Sequence, residues 1–210
     1  INPIRNAVDQ SISSFFVYQQ IGYFSSAEEV KNSPTQSGAA VGRFKYADTN
    51  GDGKITPDDR TFIGSPVPTY TGGITLDVKY KNWDLTTNLY TSLGNKIFNM
   101  SKWFTDFHGT FEGSGKGVRA KESWTPALGN GAKAPIWASA SNISTSGAEN
   151  SWYVEDGSYL SMTNFTIGYR LPSAITSKIG IKSARVSGSA NNIFTITSYS
   201  GLDPGVGGAV

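Results

Sequence analysis

Gly72-Gly73-Ile74-Thr75-Leu76-Asp77-Val78-Lys79-Tyr80-Lys81-Asn82-Trp83-Asp84-Leu85-Thr86-Thr87-Asn88-Leu89-Tyr90-Thr91 reads as two strands joined by a tight turn. Gly72, Ile74, Leu76, Val78 and Tyr80 share one face of a pleated strand, and Gly73, Thr75, Asp77 and Lys79 the other. After Lys81-Asn82 the parity inverts: Trp83, Leu85, Thr87 and Leu89 become the apolar set, Asp84, Thr86, Asn88 and Tyr90 the polar one. A two-residue hairpin turn requires that inversion, because it sets Tyr80 against Trp83, Val78 against Leu85, Leu76 against Thr87 and Ile74 against Leu89. The same register places Lys79 opposite Asp84, and Asn82 tolerates the positive φ that such a turn needs. Each strand is about ten residues long, enough for a tilted strand to cross a bilayer. Tyr80 and Trp83 lie beside the turn, where a membrane barrel carries its interfacial aromatic girdle. A soluble sandwich whose apolar face is its core has the same pattern, so the hairpin alone leaves both architectures open.

Towards the carboxyl end the alternation returns. Phe165, Ile167 and Tyr169 alternate with Asn164, Thr166, Gly168 and Arg170, and Leu171-Pro172 ends the strand. A short helical excursion through Ser173–Lys178, anchored by Ile175 and Ile179, leads to a strand over Arg185–Thr197. There Val186, Gly188 and Ala190 oppose Ser187, Ser189 and Asn191. Between the two pairs runs a long region, 92–156, with Trp103, His108, Trp124, Trp137 and Trp152 among many Gly, Ser and Asn residues. Its aromatics are expected to fold a large loop onto itself, the other roles open to them being stacking on sugar faces or contact with a partner. Long loops at one end of the strands and a tight turn at the other match the asymmetry of outer-membrane barrels.

Towards the amino end, residues 48–59 form a twelve-residue, oxygen-rich segment, Asp48-Thr49-Asn50-Gly51-Asp52-Gly53-Lys54-Ile55-Thr56-Pro57-Asp58-Asp59. Calcium takes six to eight hard oxygen ligands, and a loop of this kind supplies them from positions 1, 3, 5, 7 and 12, with glycine at position 6 for the sharp turn. Asp48, Asn50 and Asp52 fall at positions 1, 3 and 5, Gly53 at 6, Lys54 at 7 through its carbonyl, Thr56 at 9 and Asp59 at 12. Asp59 stands where glutamate is usual, so bidentate reach needs a closer backbone. Residues 41–47 lack helical periodicity and Pro57 interrupts any following helix, which makes this a loop between extended segments. The alternative is an Asx-rich surface turn that binds nothing.

The 210-residue chain is long enough for one sizeable domain, and its 24 glycines, 10 tyrosines, 11 phenylalanines and 5 tryptophans favour an all-β class with long polar loops. A net charge of +2 without a basic stripe excludes nucleic acid as partner. The absence of cysteine removes disulfides and thiolate metal sites. These residues contain no run of eighteen apolar side chains and no charged-then-apolar leader, and both ends look cut. Asp106, Glu112, Glu122, Glu149, Glu155 and Asp156 form no recognisable acid/base arrangement, and His108, the single histidine, has no triad or zinc spacing. An enzyme is not expected.

Taken together, several of these segments resemble one family. Asp48 to Ile55, Asp59-Arg60, Ile63-Gly64, Pro66 and Tyr80-Lys81-Asn82-Trp83-Asp84-Leu85 are similar to the late barrel region of SusC/RagA-type TonB-dependent outer-membrane transporters. Trp124-Thr125-Pro126, Val154 to Leu160, Asn164 to Tyr169, Asn192 to Thr197 and Tyr199 to Pro204 follow in the family's order. The position of Asn82 is often glycine in the family. The resemblance implies part of a large antiparallel transmembrane β-barrel with long extracellular loops, in the outer membrane of a Gram-negative bacterium. It implies a SusD-like surface lipoprotein over the barrel, the TonB complex below it, outer-membrane lipid around it, and an oligosaccharide or peptide as cargo. A plugged 22-stranded barrel at about ten residues per strand needs roughly 220 strand residues before any loop or plug. Residues 1–210 are therefore expected to be a carboxyl-terminal part without plug or final strand, in which Ca2+ at Asp48, Asn50, Asp52, Lys54 and Asp59 is structural. Asp77, Lys79, Asn88 and Arg170 are candidates for the barrel interior by parity. The competing class is a soluble calcium-dependent carbohydrate-binding or adhesin-like β module.

Overall fold

A computed structural model of the protein describes residues 2–111 and 113–205, together with every side chain among them except that of Ile179. Glu112 and the Ile179 side chain, both singled out above, thus lie outside what is described. In chain order the strands are β1 (Ile4–Arg5), β2 (Ser14–Tyr18), β3 (Gln20–Tyr23), β4 (Phe44–Tyr46), β5 (Arg60–Gly64) and β6 (Tyr70–Tyr80). They continue with β7 (Trp83–Leu93), β8 (Lys96–Phe98), β9 (Val154–Asp156), β10 (Tyr159–Arg170) and β11 (Arg185–Thr197). Helices are confined to single turns or little more, α1 (Ala27–Asn32), α2 (Ser101–Thr105) and α3 (Ser173–Thr176), with short 3-10 turns between. None among the described residues is long and apolar enough to cross a membrane. The chain is all-β, and its strand pairs within sheets are antiparallel. It divides into two compact units, residues 2–67 with 96–155, and residues 68–95 with 156–205.

The second unit is a four-stranded sheet in the order β11-β10-β7-β6. The hairpin register follows the alternation read from the sequence: Tyr80 opposes Trp83, Lys79 Asp84, Val78 Leu85, Leu76 Thr87 and Ile74 Leu89. The turn differs in detail. Positive φ falls on Lys81, at 53°, and not on Asn82. Asn82 instead joins the turn to β10, donating from Nδ2 to the Arg170 carbonyl at 2.9 Å while its own carbonyl accepts from the Arg170 amide at 2.8 Å.

Strand β10 extends the apolar face, with Phe165, Ile167 and Tyr169 opposite Thr87, Leu85 and Trp83, and β11 adds Ala190, Gly188 and Val186. The rings of Trp83 and Tyr169 meet with centroids 4.7 Å apart. In β10 the apolar parity changes from Leu160 and Met162 to Phe165 and Ile167. A register shift between Met162 and Asn164 absorbs the change, and the added residue keeps both sets on one face. The face carries no cover from this unit, with Ile74, Val78 and Tyr80 exposed by 60%, 56% and 66%. Beyond β10, α3 and a 3-10 turn at Ser177–Ile179 form the expected excursion. Its buried residue is Thr176, while Ile175 is half exposed, because one and a half turns bring a single position inward.

The first unit has a conventional aromatic core. Val17, Phe24, Phe44, Tyr46 and Tyr153 are fully or almost fully buried. Tyr46 stacks on Tyr18 at 5.2 Å and Phe98 on Tyr153 at 5.2 Å. The long 92–156 region therefore does not fold onto itself alone. Phe98, Phe107, Trp124 and Tyr153 share one core with Phe15, Val17, Phe44 and Tyr46 from the amino-terminal segment. Trp103 and Trp152 pack partly buried against that core. Trp137 stays 43% exposed, with the His108 ring edge-on at 5.2 Å.

Candidate functional site

The 48–59 loop is held between β4 and β5 in the first unit. Positive φ at Gly51 and Gly53, 76° and 79°, turns the backbone twice within three residues, with nothing within 4 Å of where either Cβ would stand. Conformation, not crowding, demands glycine there. Each early side-chain oxygen is aimed by a backbone amide. Asp48 accepts from the Gly51 and Gly53 amides at 2.7 and 2.8 Å, Asn50 from Asp52 at 2.9 Å, and Asp52 from Lys54 at 2.8 Å. The far side of the loop is pinned by one bridge. The Thr35 amide donates to the Gly53 carbonyl and the Ile55 amide to the Thr35 carbonyl, both at 2.9 Å. Since carbonyls alternate along an extended backbone, that pairing turns the Lys54 carbonyl to the opposite side, the side of its own amide and Asp52.

Asp59 closes the loop from the other end and is completely buried. Its Oδ1 accepts from the Thr49 amide at 2.9 Å and, at the edge of hydrogen-bond length, from the Asn50 amide at 3.5 Å; its Oδ2 accepts from the Thr56 amide at 2.7 Å. Thr56 caps the 3-10 turn Pro57–Asp59 reciprocally, and Pro57 sits in the first turn, where its missing amide costs nothing. Burial pushes the Asp59 carboxyl pKa up, but the amides of Thr56, Thr49 and Asn50 outweigh it and hold the group below its ordinary value. Asp59 is thus as much the keystone of the loop as a candidate ligand, a role the twelve-residue pattern does not announce.

The donor set fits a hard cation in kind: side-chain oxygens of the half-buried Asp48 and of the exposed Asn50 and Asp52, a carbonyl and a buried carboxylate, all on amide-fixed backbone. Among the described residues no three carboxylate or imidazole groups are drawn close enough to hold a metal ion. Asp48, Asp52 and Asp59 are therefore spread along the loop, with the amides as their partners.

Two further polar clusters escaped sequence reading, because each joins residues far apart in the chain. On the polar face of the sheet unit, Arg185 reaches across β10 to Asp84, with Nε 2.9 Å from Oδ1 and Nη2 on Oδ2. The crossing passes over Gly168, where a Cβ would collide with the guanidinium. Asp77, Lys79, Asn88 and Arg170 lie on this same face, as parity predicts. In the first unit, Lys102 is 2.7 Å from Glu155 and lies 4.4 Å over the Trp152 ring, and Arg119 is 2.8 Å from Asp106. Burial lowers the Lys102 pKa despite Glu155 beside it. Asp106 and Glu155, weighed above as acid/base candidates, are tied into these ion pairs.

No family model matches the sequence. The chain is 32% identical over 199 residues to TonB-dependent receptor P3 of Formosa agariphila, a match covering 93% of this chain and 19% of the relative. It is 26% identical over 204 residues to TonB-dependent receptor SusC of Bacteroides thetaiotaomicron, covering 95% and 18%. The fold matches the structure of the RagAB peptide transporter with a TM-score of 0.70 at 24% identity, over 93% of this chain and 20% of that one. Fold and sequence together define the class as the TonB-dependent receptors, and the chain spans about a fifth of the length of the curated relatives it matches. Within that class the similarity extends to the receptor named SusC and, in fold, to the RagAB transporter. These similarities are to receptors and transporters, not to enzymes.

Proposed function

We propose that this chain is the carboxyl-terminal part of an energy-coupled outer-membrane importer, in which the four-stranded sheet is a section of the barrel wall. The observation that carries the reading is the bare apolar face of that sheet, four strands of 11 to 13 residues with Tyr80, Trp83 and Tyr169 grouped at the tight-turn end. Strands of that length span a bilayer when tilted, and an uncovered aliphatic face with an aromatic rim suits lipid. The opposite face then lines the barrel interior. Strand β6 begins and β7 ends at the end of the sheet away from the Lys81-Asn82 turn, which is the extracellular end in barrels of this kind.

On this reading the cargo is an oligosaccharide or peptide, a SusD-like lipoprotein covers the extracellular mouth, and the TonB complex supplies the energy through a part of the protein outside these residues. The neighbours support the general scheme: one is a receptor named SusC and another a RagAB peptide transporter. The 48–59 loop is a structural calcium element of the extracellular side. Asp48, Asn50, Asp52, the Lys54 carbonyl and Asp59 would hold the ion, whose chemistry is only to neutralise and rigidify. Binding to the folded loop alone adds stability by mass action. The test is fractionation of the native polypeptide. It should require detergent for extraction from outer membranes and run several times longer than 210 residues. Recovery in the aqueous fraction at about this length would refute the importer and favour the soluble calcium-dependent module.

A further inference from the structure

In the second unit the cationic side chains are gathered at one end of the sheet. Residues 68–95 and 156–205 contain six, Lys79, Lys81, Arg170, Lys178, Lys182 and Arg185. Each lies inside, or within two residues of, the connections that join β6 to β7 and β10 to β11. Pairing of Tyr169 with Trp83 puts both connections at the same end. Four carboxylates stand in these segments. Asp84 is held by Arg185 and Asp77 accepts from the Thr86 hydroxyl, both on the polar face. Asp156 and Asp203 belong to the opposite end, where β10 begins and β11 finishes. Lys79, Arg170 and Arg185 lie on the polar face, whereas Lys81, Lys178 and Lys182 are exposed in the connections themselves. Among the described residues none of these three lysines forms an ion pair. Lys81 has a φ of 53°, a conformation side chains rarely adopt, and its Nζ lies 5.3 Å from the centre of the Tyr80 ring, on the apolar face. In the longer connection Ile175 and Ile181 are about half exposed in the same segment as Lys178 and Lys182.

We infer that this end of the sheet binds the headgroups of anionic phospholipids, with Lys81, Lys178 and Lys182 as the side chains that meet phosphate. The inference rests on the reading of the sheet as barrel wall, which makes this the periplasmic end and sets Tyr80, Trp83 and Tyr169 at the membrane surface. A bilayer interface is the one environment that answers all the chemistry gathered here. Aromatic rings settle at headgroup depth, lysine stems follow apolar surface, and their ammonium groups reach the phosphates. Six cations against two carboxylates, both already hydrogen-bonded, leave a positive field that draws anionic lipid from within a Debye length, about 8 Å at physiological salt. Lys79, Arg170 and Arg185 strengthen that field from the other side of the strands. An acidic protein surface would answer the charge, but it has no place for Ile175, Ile181 and the exposed rings.

The test uses the full-length protein in mixed micelles holding equal amounts of phosphatidylglycerol and phosphatidylcholine of one chain length, with the lipids it retains counted by native mass spectrometry. The natural protein should retain phosphatidylglycerol severalfold over phosphatidylcholine, and the preference should shrink as ionic strength rises from about 0.05 to about 0.5 M. Lys81→Gln with Lys178→Gln and Lys182→Gln should reduce the preference at least threefold, while arginine at the same three positions should preserve it. Heat-modifiable migration on a gel establishes that each variant is still a folded barrel. Equal retention of the two lipids, or an undiminished preference in the glutamine variant, would overturn the inference. So would binding of decaglutamate without any preference for phosphatidylglycerol, which would assign the cations to an acidic protein. In a chain that needs detergent these results sink the lipid site alone, whereas a chain recovered in water would remove the importer reading and the site with it.

Discussion

Asp59→Ala and Asp48→Ala remove the same chemical group from the same loop, and the structure assigns them different consequences. Asp59 is wholly buried and accepts two short amide hydrogen bonds, from Thr49 at 2.9 Å and Thr56 at 2.7 Å. Hydrogen bonds to a charged acceptor contribute about 1.5–3 kcal/mol each, and truncating the buried carboxylate removes both at once and leaves a void where it stood. Truncation should therefore lower the free energy of opening the loop by at least about 3 kcal/mol, or roughly a hundredfold in an opening equilibrium at about 1.4 kcal/mol per factor of ten. Asp48 is reached by water, which replaces it at the Gly51 and Gly53 amides, so without calcium its loss should cost under about 1 kcal/mol, within about fivefold. Hydrogen exchange of the 48–60 segment in the solubilised full-length protein, in chelator, reads both numbers. Amides of Thr49 and Thr56 should exchange about a hundredfold faster in Asp59→Ala and nearly unchanged in Asp48→Ala. If the two variants behaved alike, the buried carboxylate would not be the keystone argued above. With calcium added, the loop of the natural protein should slow further and that of Asp48→Ala with Asp52→Ala should not. The pH dependence has a fixed sign. Because the amides hold the Asp59 carboxyl below its ordinary value, its stabilisation is complete above about pH 4 and is lost as the pH falls through the lower folded-state value.

Glu29 behaves in the same direction: hydrogen bonds from Lys45 and Ser25 lower its pKa to about 2, so protection of α1 should be flat from pH 7 to about 4.5 and decline only towards pH 2, and a loss already complete at pH 4.5 would contradict the pairing. On the bare face, Leu76→Arg should cost about 2–4 kcal/mol of barrel stability in lipid, whereas Thr75→Arg on the opposite face should be tolerated; equal sensitivity in a bilayer refolding titration would argue against a lipid-facing surface. Gly168→Val should displace Arg185 from Asp84 and lower the temperature at which the barrel unfolds on a gel, while the same change with Arg185→Ala should add little further.

The hairpin was legible because a period of two is a local property, and one turn inverts it at an identifiable place; every expected pair from Tyr80–Trp83 to Ile74–Leu89 is found. The first half of the 48–59 loop follows its spacing for a similar reason, since Asp48, Asn50 and Asp52 accept from amides two to five residues on, whereas Asp59 reaches back ten residues to Thr49. What depends on distant partners was not legible. The sequence places Thr87 in the apolar set of its strand, and only the tertiary structure shows its hydroxyl donating to the Asn164 carbonyl at 3.0 Å. It presents Asn82 as a turn residue, whereas the fold spends its side chain on β10. It presents 92–156 as one loop, whereas burial of Phe44, Tyr46 and Val17 against Phe107 and Tyr153 requires two segments separated by the whole hairpin. Local periodicity determined the hairpin strands, the strand after Asn164 and that over Arg185–Thr197, with the faces they present, but not the short strands of the first unit or the start of β10 at Tyr159. Long-range packing decided which carboxylate became a buried keystone and which stayed in water, because burial is a property of what surrounds a side chain and not of the residues beside it in the chain.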